Sequence, residues 1–129
     1  MSENRQGLHT VLVVDDHEDI RELLSMQLRA LGCEVVAAGN GQEAVELAPR
    51  VHPDLILMDL SMPVLDGYEA TRQLRGRLDM RDVPVVAVSA FCDALNRQKA
   101  LDAGCVECVG KPLDFGALGG LLRKHLHIH

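Results

Sequence analysis

Five times along this chain a short apolar run is followed by a segment with helical periodicity, and few folds accommodate that alternation. The first run, Val11-Leu12-Val13-Val14, is uninterrupted, as in strands buried on both sheet faces. Apolar residues at 20, 23, 24, 28 and 31 then mark one helix face, and Gly32 stops that helix. Residues 34–38 read as a second strand. Asn40 with Glu43 forms a capping-box pair that opens a second helix, and Pro49 is expected to end it early. Leu55-Ile56-Leu57-Met58 is a third buried run. Asp66 and Glu69 are a further capping pair, opening a helix to about Arg77. Residues 84–88 give a fourth strand, followed by a helix that ends at Gly104. A short strand over 106–109 and a helix over 114–125 complete the series. The pattern predicts a parallel sheet in a doubly wound α/β domain. Ligands of such sheets bind beyond the carboxyl ends of the strands.

A chain of 129 residues suits one domain with a real core. Its three aromatics, Tyr68, Phe91 and Phe115, leave that core to aliphatic side chains. The domain is placed at 10–126, between tails at 1–9 and 127–129. A formal net charge of −6 argues against a nucleic-acid or anionic-membrane partner. The first ten residues lack a signal-peptide core, and the apolar stretch 83–91 is too short to span a bilayer. A cytoplasmic protein is expected, with Cys33, Cys92, Cys105 and Cys108 as reduced thiols.

Chemistry-bearing residues collect at the expected carboxyl ends. The first strand ends in Asp15-Asp16, the third in Asp59, the fourth in Ser89-Ala90 and the fifth in Lys111-Pro112. Taken singly, each has an ordinary role: a helix cap, a turn, a solvated lysine. Together they form one rim. Three crowded carboxylates repel one another unless a cation neutralises them, and oxygen ligands suit a hard ion such as Mg²⁺. An ammonium and a hydroxyl beside that ion would clamp a phosphoryl group, and a carboxylate is itself a competent nucleophile for one.

Asp15-Asp16, the segment Met58-Asp59-Leu60-Ser61-Met62-Pro63-Val64-Leu65-Asp66-Gly67, Ser89-Ala90 and Lys111-Pro112 together resemble the signature of bacterial response-regulator receiver domains. The resemblance implies a five-stranded flavodoxin-like (βα)5 fold with strand order 2-1-3-4-5. It casts Asp59 as the phosphoacceptor. Asp16 becomes a direct Mg²⁺ ligand, Asp15 one acting largely through water, and Asp59 and the Ser61 backbone carbonyl further ligands, with Mn²⁺ as an alternative ion. Ser89, Ala90 and Lys111 would bind phosphoryl oxygens, and the bond before Pro112 would be cis. Pro63 and Gly67 would shape the loop after the third strand.

The sequence departs from that pattern where receivers usually carry an aromatic on the fifth strand: here stands Cys108. A thiol cannot swing as a ring does, and Phe91 is a candidate for the missing bulk. Ser61 and Phe91 flank the site and suggest slow self-dephosphorylation. Cys105 and Cys108 make a C-x-x-C pair, but residues three apart on a strand face opposite ways, which weakens a redox or metal role. His17 reads as a surface residue at a helix start. The terminal histidines 125, 127 and 129 read as a solvated tail. Gly116, Gly119 and Gly120 in the last helix suggest a close contact or a pliable segment there.

The resemblance implies a signalling module rather than an enzyme. A histidine kinase or phosphotransfer protein would donate to Asp59. A downstream protein, or a second copy in a homodimer, would read the face formed by the fourth helix, fifth strand and fifth helix. The expected arrangement is a stand-alone regulator, with a fragment of a hybrid kinase as the alternative. An Mg-dependent aspartate-nucleophile phosphatase is the alternative function. Such enzymes usually carry Asp-x-Asp near the first strand, and here the two acids are adjacent.

Overall fold

The computed structural model describes residues 8–62 and 64–126. Pro63, the histidines at 127 and 129 and the first seven residues lie outside the described residues. Ten elements alternate: β1 (Thr10–Val14), α1 (Glu18–Ala30), β2 (Glu34–Ala38), α2 (Gly41–Val51), β3 (Leu55–Asp59), α3 (Gly67–Arg75), β4 (Val85–Ser89), α4 (Ala94–Ala103), β5 (Glu107–Gly110) and α5 (Phe115–Leu126). The strands pair in parallel in the order β2-β1-β3-β4-β5. Crossovers between parallel strands have one hand, so reversing the direction of travel after β2 moves the helices to the other face. The reversal leaves a crevice between the carboxyl ends of β1 and β3.

Alternation along the strands divides the core in two. Val11, Val13, Leu55, Leu57, Val86 and Val88 face α1 and α5, through Leu24, Leu28, Leu118 and Leu122. Leu12, Val14, Ile56, Met58, Val85 and Ala87 face α2, α3 and α4, where small residues such as Ala44, Ala48, Ala70 and Ala100 let the helices lie close. Every residue of β3 is buried, whereas the outer strands β2 and β5 are only partly covered. Truncating a β3 side chain such as Leu57 would cost ~2–5 kcal/mol.

The helix termini follow local chemistry. The side chains of Asn40, Asp66 and Asp93 accept the N–H groups of Glu43, Glu69 and Asn96 at 2.8, 2.9 and 2.9 Å. Gly32 (φ 92°) and Gly104 (φ 116°) take left-handed conformations that close α1 and α4. Arg75 ties the end of α3 to its surroundings, donating to the carbonyls of Gly104 (2.9 Å), Met80 (3.2 Å) and Val83 (2.7 Å).

Several expectations need correction. Pro49 does not end α2; it sits inside the last turn and the helix continues to Val51. Pro49 forfeits one i→i−4 bond, that to the Val45 carbonyl, yet the chain stays helical for two more residues, and His52, at φ 49°, makes the stop. Helix α3 closes at Arg75, with Gly76 as its cap, rather than at Arg77. Of the apolar stripe on α1, Leu24 and Leu28 are buried while Ile20 and Leu23 remain 37% and 50% exposed. Cys105 and Cys108 do not face opposite ways: both are buried in the same half of the core, because Cys105 precedes β5 and escapes strand alternation. Among the described residues no helix is long and apolar enough to cross a membrane.

The glycines of α5 are not pressed by another part of this chain. A methyl group on Gly119 would meet only the Arg123 guanidinium, at 3.5 Å. Gly119→Ala is therefore expected to stabilise the fold by ~0.5–1 kcal/mol, measured by urea denaturation. Destabilisation would mean that α5 needs its pliability.

Candidate functional site

The crevice between β1 and β3 holds the acidic rim. Asp15 directly follows β1 and is 2% exposed; Asp59 is the last residue of β3 and is 3% exposed. Lys111 follows β5 and reaches back across the sheet end. Its Nζ donates to Asp15 Oδ2 at 3.0 Å and lies 3.3 Å from Asp59 Oδ2. The Lys111-Pro112 bond is cis.

Backbone groups hold the two buried acids from the other side. His17 N–H donates to Asp15 Oδ1 at 2.8 Å, and Ser61 N–H to Asp59 Oδ1 at 3.1 Å. Gly67 N–H donates to the Leu60 carbonyl at 3.2 Å, folding the loop after β3 under the site. Any Cβ at Gly67 would collide with the Asp59 carbonyl, so the close approach needs glycine. Gly41 meets the same requirement against the Leu65 carbonyl; its place at the start of α2, directly after Asn40, gave no hint of this.

Burial is the main influence on Asp59 and raises its pKa; the Ser61 hydrogen bond and the Lys111 charge pull the other way without overcoming it. For Lys111, burial is the largest single influence and works to lower its pKa. The hydrogen bond to Asp15 and the charges of Asp59 and Asp15 together outweigh it, so its pKa is raised. The ammonium therefore stays charged while Asp59 resists charging.

One acid oxygen from each of Asp15, Asp16 and Asp59, with a ring nitrogen of His17, lies within 4.8 Å of the others. Asp16 Oδ1 and Asp59 Oδ2 are buried without a hydrogen-bond donor, the neighbouring His17 ring and Lys111 ammonium apart. Two orphaned anionic oxygens beside a third carboxylate are a donor set that fits a hard divalent cation. His17 caps the start of α1 and its side chain is 66% exposed, as a surface residue would be, yet Nδ1 sits 3.2 Å from both Asp15 Oδ1 and Asp16 Oδ1. Its position directly after the acid pair was the signal for that.

Ser89 and Phe91 sit differently. The Ser89 hydroxyl accepts from Phe91 N–H (3.1 Å) and donates to the Phe91 carbonyl (3.2 Å), and makes no bond to the acidic crevice. Ala90 is exposed beside it. The Phe91 ring is 73% exposed and does not supply bulk near Cys108, because it lies beyond the sheet in the loop to α4. Tyr68 and Cys92 pack against the half-core that contains Cys108.

If Asp59 titrates abnormally because it is buried, its protonated form adds stability below the ordinary carboxylate range, lost as pH rises through the raised folded value. In ion-free buffer Asp59→Asn is therefore expected to stabilise the chain at neutral pH by about 1 kcal/mol, the advantage shrinking in acid. Urea midpoints at neutral and acid pH measure this; an unchanged or lower midpoint at neutral pH contradicts it.

Comparison with known proteins places this geometry. Residues 11–123 match the response regulator receiver domain family. The probable transcriptional regulator ycf27 of Porphyridium aerugineum is 35% identical over 116 residues, 90% of this chain but 47% of that protein, so the chain spans about half the length of that relative. The polar-differentiation response regulator DivK of Brucella ovis is 36% identical over 104 residues, 81% of this chain and 85% of that protein. Among solved structures, the receiver domain of the sensor histidine kinase PA1611 from Pseudomonas aeruginosa superposes with a TM-score of 0.86 at 34% identity. It covers 93% of this chain and 98% of that one, and a magnesium ion is coordinated in its active site cleft.

Proposed function

The chain belongs to the response regulator receiver domain family, and on that premise we propose that Asp59 accepts a phosphoryl group from a phosphohistidine donor. The observation that carries this reading is the pairing of Asp59 with Lys111 in a buried crevice where one oxygen of Asp59 and one of Asp16 have no hydrogen-bond donor. An Asp59 carboxylate oxygen attacks phosphorus as the P–N bond of the donor breaks, its electron pair leaving to the imidazole nitrogen. The Lys111 ammonium neutralises charge on the phosphoryl oxygens. Asp15 and Asp16, with Asp59 and the Ser61 carbonyl, would hold Mg²⁺, with Mn²⁺ as a substitute; the ion supplies charge neutralisation for the transfer. For the Ser89 hydroxyl to reach the new phosphoryl group it must release Phe91. That opening moves the loop after β4 and offers a route to the face formed by α4, β5 and α5, where a downstream protein or second copy would bind. Adjacent acids with no intervening residue argue against a phosphatase.

A groove beside the crevice suits the donor. Ile20, Leu23, Val88, Pro112 and Leu113 line it together with Lys111. Leu23→Glu is expected to slow transfer from a phosphohistidine protein at least tenfold, the effect of ~1.4 kcal/mol, and to leave labelling by acetyl phosphate unchanged. Equal slowing with both donors would place Leu23 outside the docking surface.

Acetyl phosphate with Mg²⁺ is expected to label the wild type with one phosphoryl group per chain and Asp59→Asn with none; equal labelling sinks the assignment. With Ser61 and the exposed Phe91 flanking the site, neither positions an attacking water, so the label should persist. A half-life of seconds contradicts that.

A further inference from the structure

Three of the four cysteines gather where β5 meets the loop after β4. Cys105 has another engagement, its Sγ 3.7 Å from the Thr71 hydroxyl. Cys92 packs against the half-core that contains Cys108, and its Sγ lies 4.0 Å from the Ser89 carbonyl. One guanidinium fixes the backbone at both: Arg97 donates to the Cys108 carbonyl at 3.0 Å and to the Cys92 carbonyl at 3.1 Å. Cys92 is only partly buried, in the loop that leads into α4; Cys108 is 2% exposed.

We propose that Cys92 and Cys108 form a reversible disulfide, made by a hydroperoxide and undone by a small thiol, that latches the loop after β4 to β5. Cys92 is the accessible sulfur. It attacks the peroxide; the O–O bond breaks, an S–O bond forms, and an alcohol leaves, or water when the oxidant is hydrogen peroxide. The Cys108 sulfur then attacks Cys92; the S–S bond forms, and the hydroxyl leaves as water with the Cys108 proton. Each sulfur gives up one electron and the peroxide takes up two. Two reductant thiols reverse the step by exchange and leave as their own disulfide. Burial, with the neighbouring Cys92, pushes the Cys108 thiol up to about 12, so Cys108 acts second and does not meet the oxidant itself.

The latch bears on signalling through Ser89. A disulfide holds its sulfurs at ~2.05 Å, nearer than two thiols in contact. It would draw Cys92 inward and fix the loop whose Ser89–Phe91 bonds must open around a phosphoryl group. That consequence rests on the reading of Asp59 as the phosphoacceptor; the disulfide does not.

The reduced chain would be treated with hydrogen peroxide, alkylated in denaturant with iodoacetamide, digested without reductant and examined by mass spectrometry. A Cys92 peptide joined to a Cys108 peptide is expected, sensitive to dithiothreitol and absent in Cys92→Ser, with Cys33 and Cys105 alkylated as before. Oxidised wild type should take the acetyl-phosphate label about tenfold more slowly than reduced, a coupling ordinary for a two-state element. Cys92→Ser should label at one rate with or without peroxide. Equal alkylation of all four cysteines after peroxide, a link to Cys105 instead, or a linked chain that labels at the reduced rate would each overturn the proposal. If the reduced chain takes no label at all, the phosphoacceptor reading fails on its own, and the cross-link still decides the pair.

Discussion

One ammonium between two buried carboxylates organises the functional end of this molecule. Lys111 lies within 3.0 Å of Asp15 and 3.3 Å of Asp59, at the ends of strands that are neighbours in the sheet. Buried acids are a poor way to stabilise a fold, since desolvation generally offsets what their pairing returns. Their presence makes sense if the site is completed from outside by a cation and a phosphoryl group. The rest of the architecture serves that constellation. The fully buried β3 fixes Asp59, the close approach at Gly67 folds the following loop beneath it, and β5 lies at the sheet edge from which Lys111 reaches inward.

Much of this was legible in the residues. Five apolar runs broken by helical segments point to a parallel α/β sheet, whose inner strands are covered on both faces. Once strands are drawn, Asp15, Asp59, Ser89 and Lys111 fall at their carboxyl ends without further assumption. What stayed hidden depends on which surfaces meet. Pro49 looks like a stop from local chemistry, but the helix tolerates the one lost bond and runs two residues further, to Val51. Ile20 and Leu23 look like core from periodicity, yet they stay 37% and 50% exposed. Strand alternation misjudges the cysteines because Cys105 lies before the strand begins. The Ser89 hydroxyl turns to the Phe91 backbone, a local hydrogen bond that no sequence pattern specifies.

The readout side is where this receiver differs from its family's pattern. The position that usually holds a ring on the fifth strand holds a buried thiol, and Phe91 does not fold in to replace it. Tyr68 packs against the same half-core from α3, and its ring carries Lys99 of α4 at 4.9 Å. Movement of the loop after β4 therefore meets a small, oxidisable side chain below and an aromatic anchored on a different helix.

Borohydride trapping reads out which aspartate carries the phosphoryl group: the chain is incubated with acetyl phosphate and Mg²⁺, the acyl phosphate is reduced, and the peptides are sequenced by mass spectrometry. Homoserine is expected at position 59 and at no other aspartate. Homoserine at position 15 or 16, with position 59 unmodified, would rule Asp59 out as the phosphoacceptor.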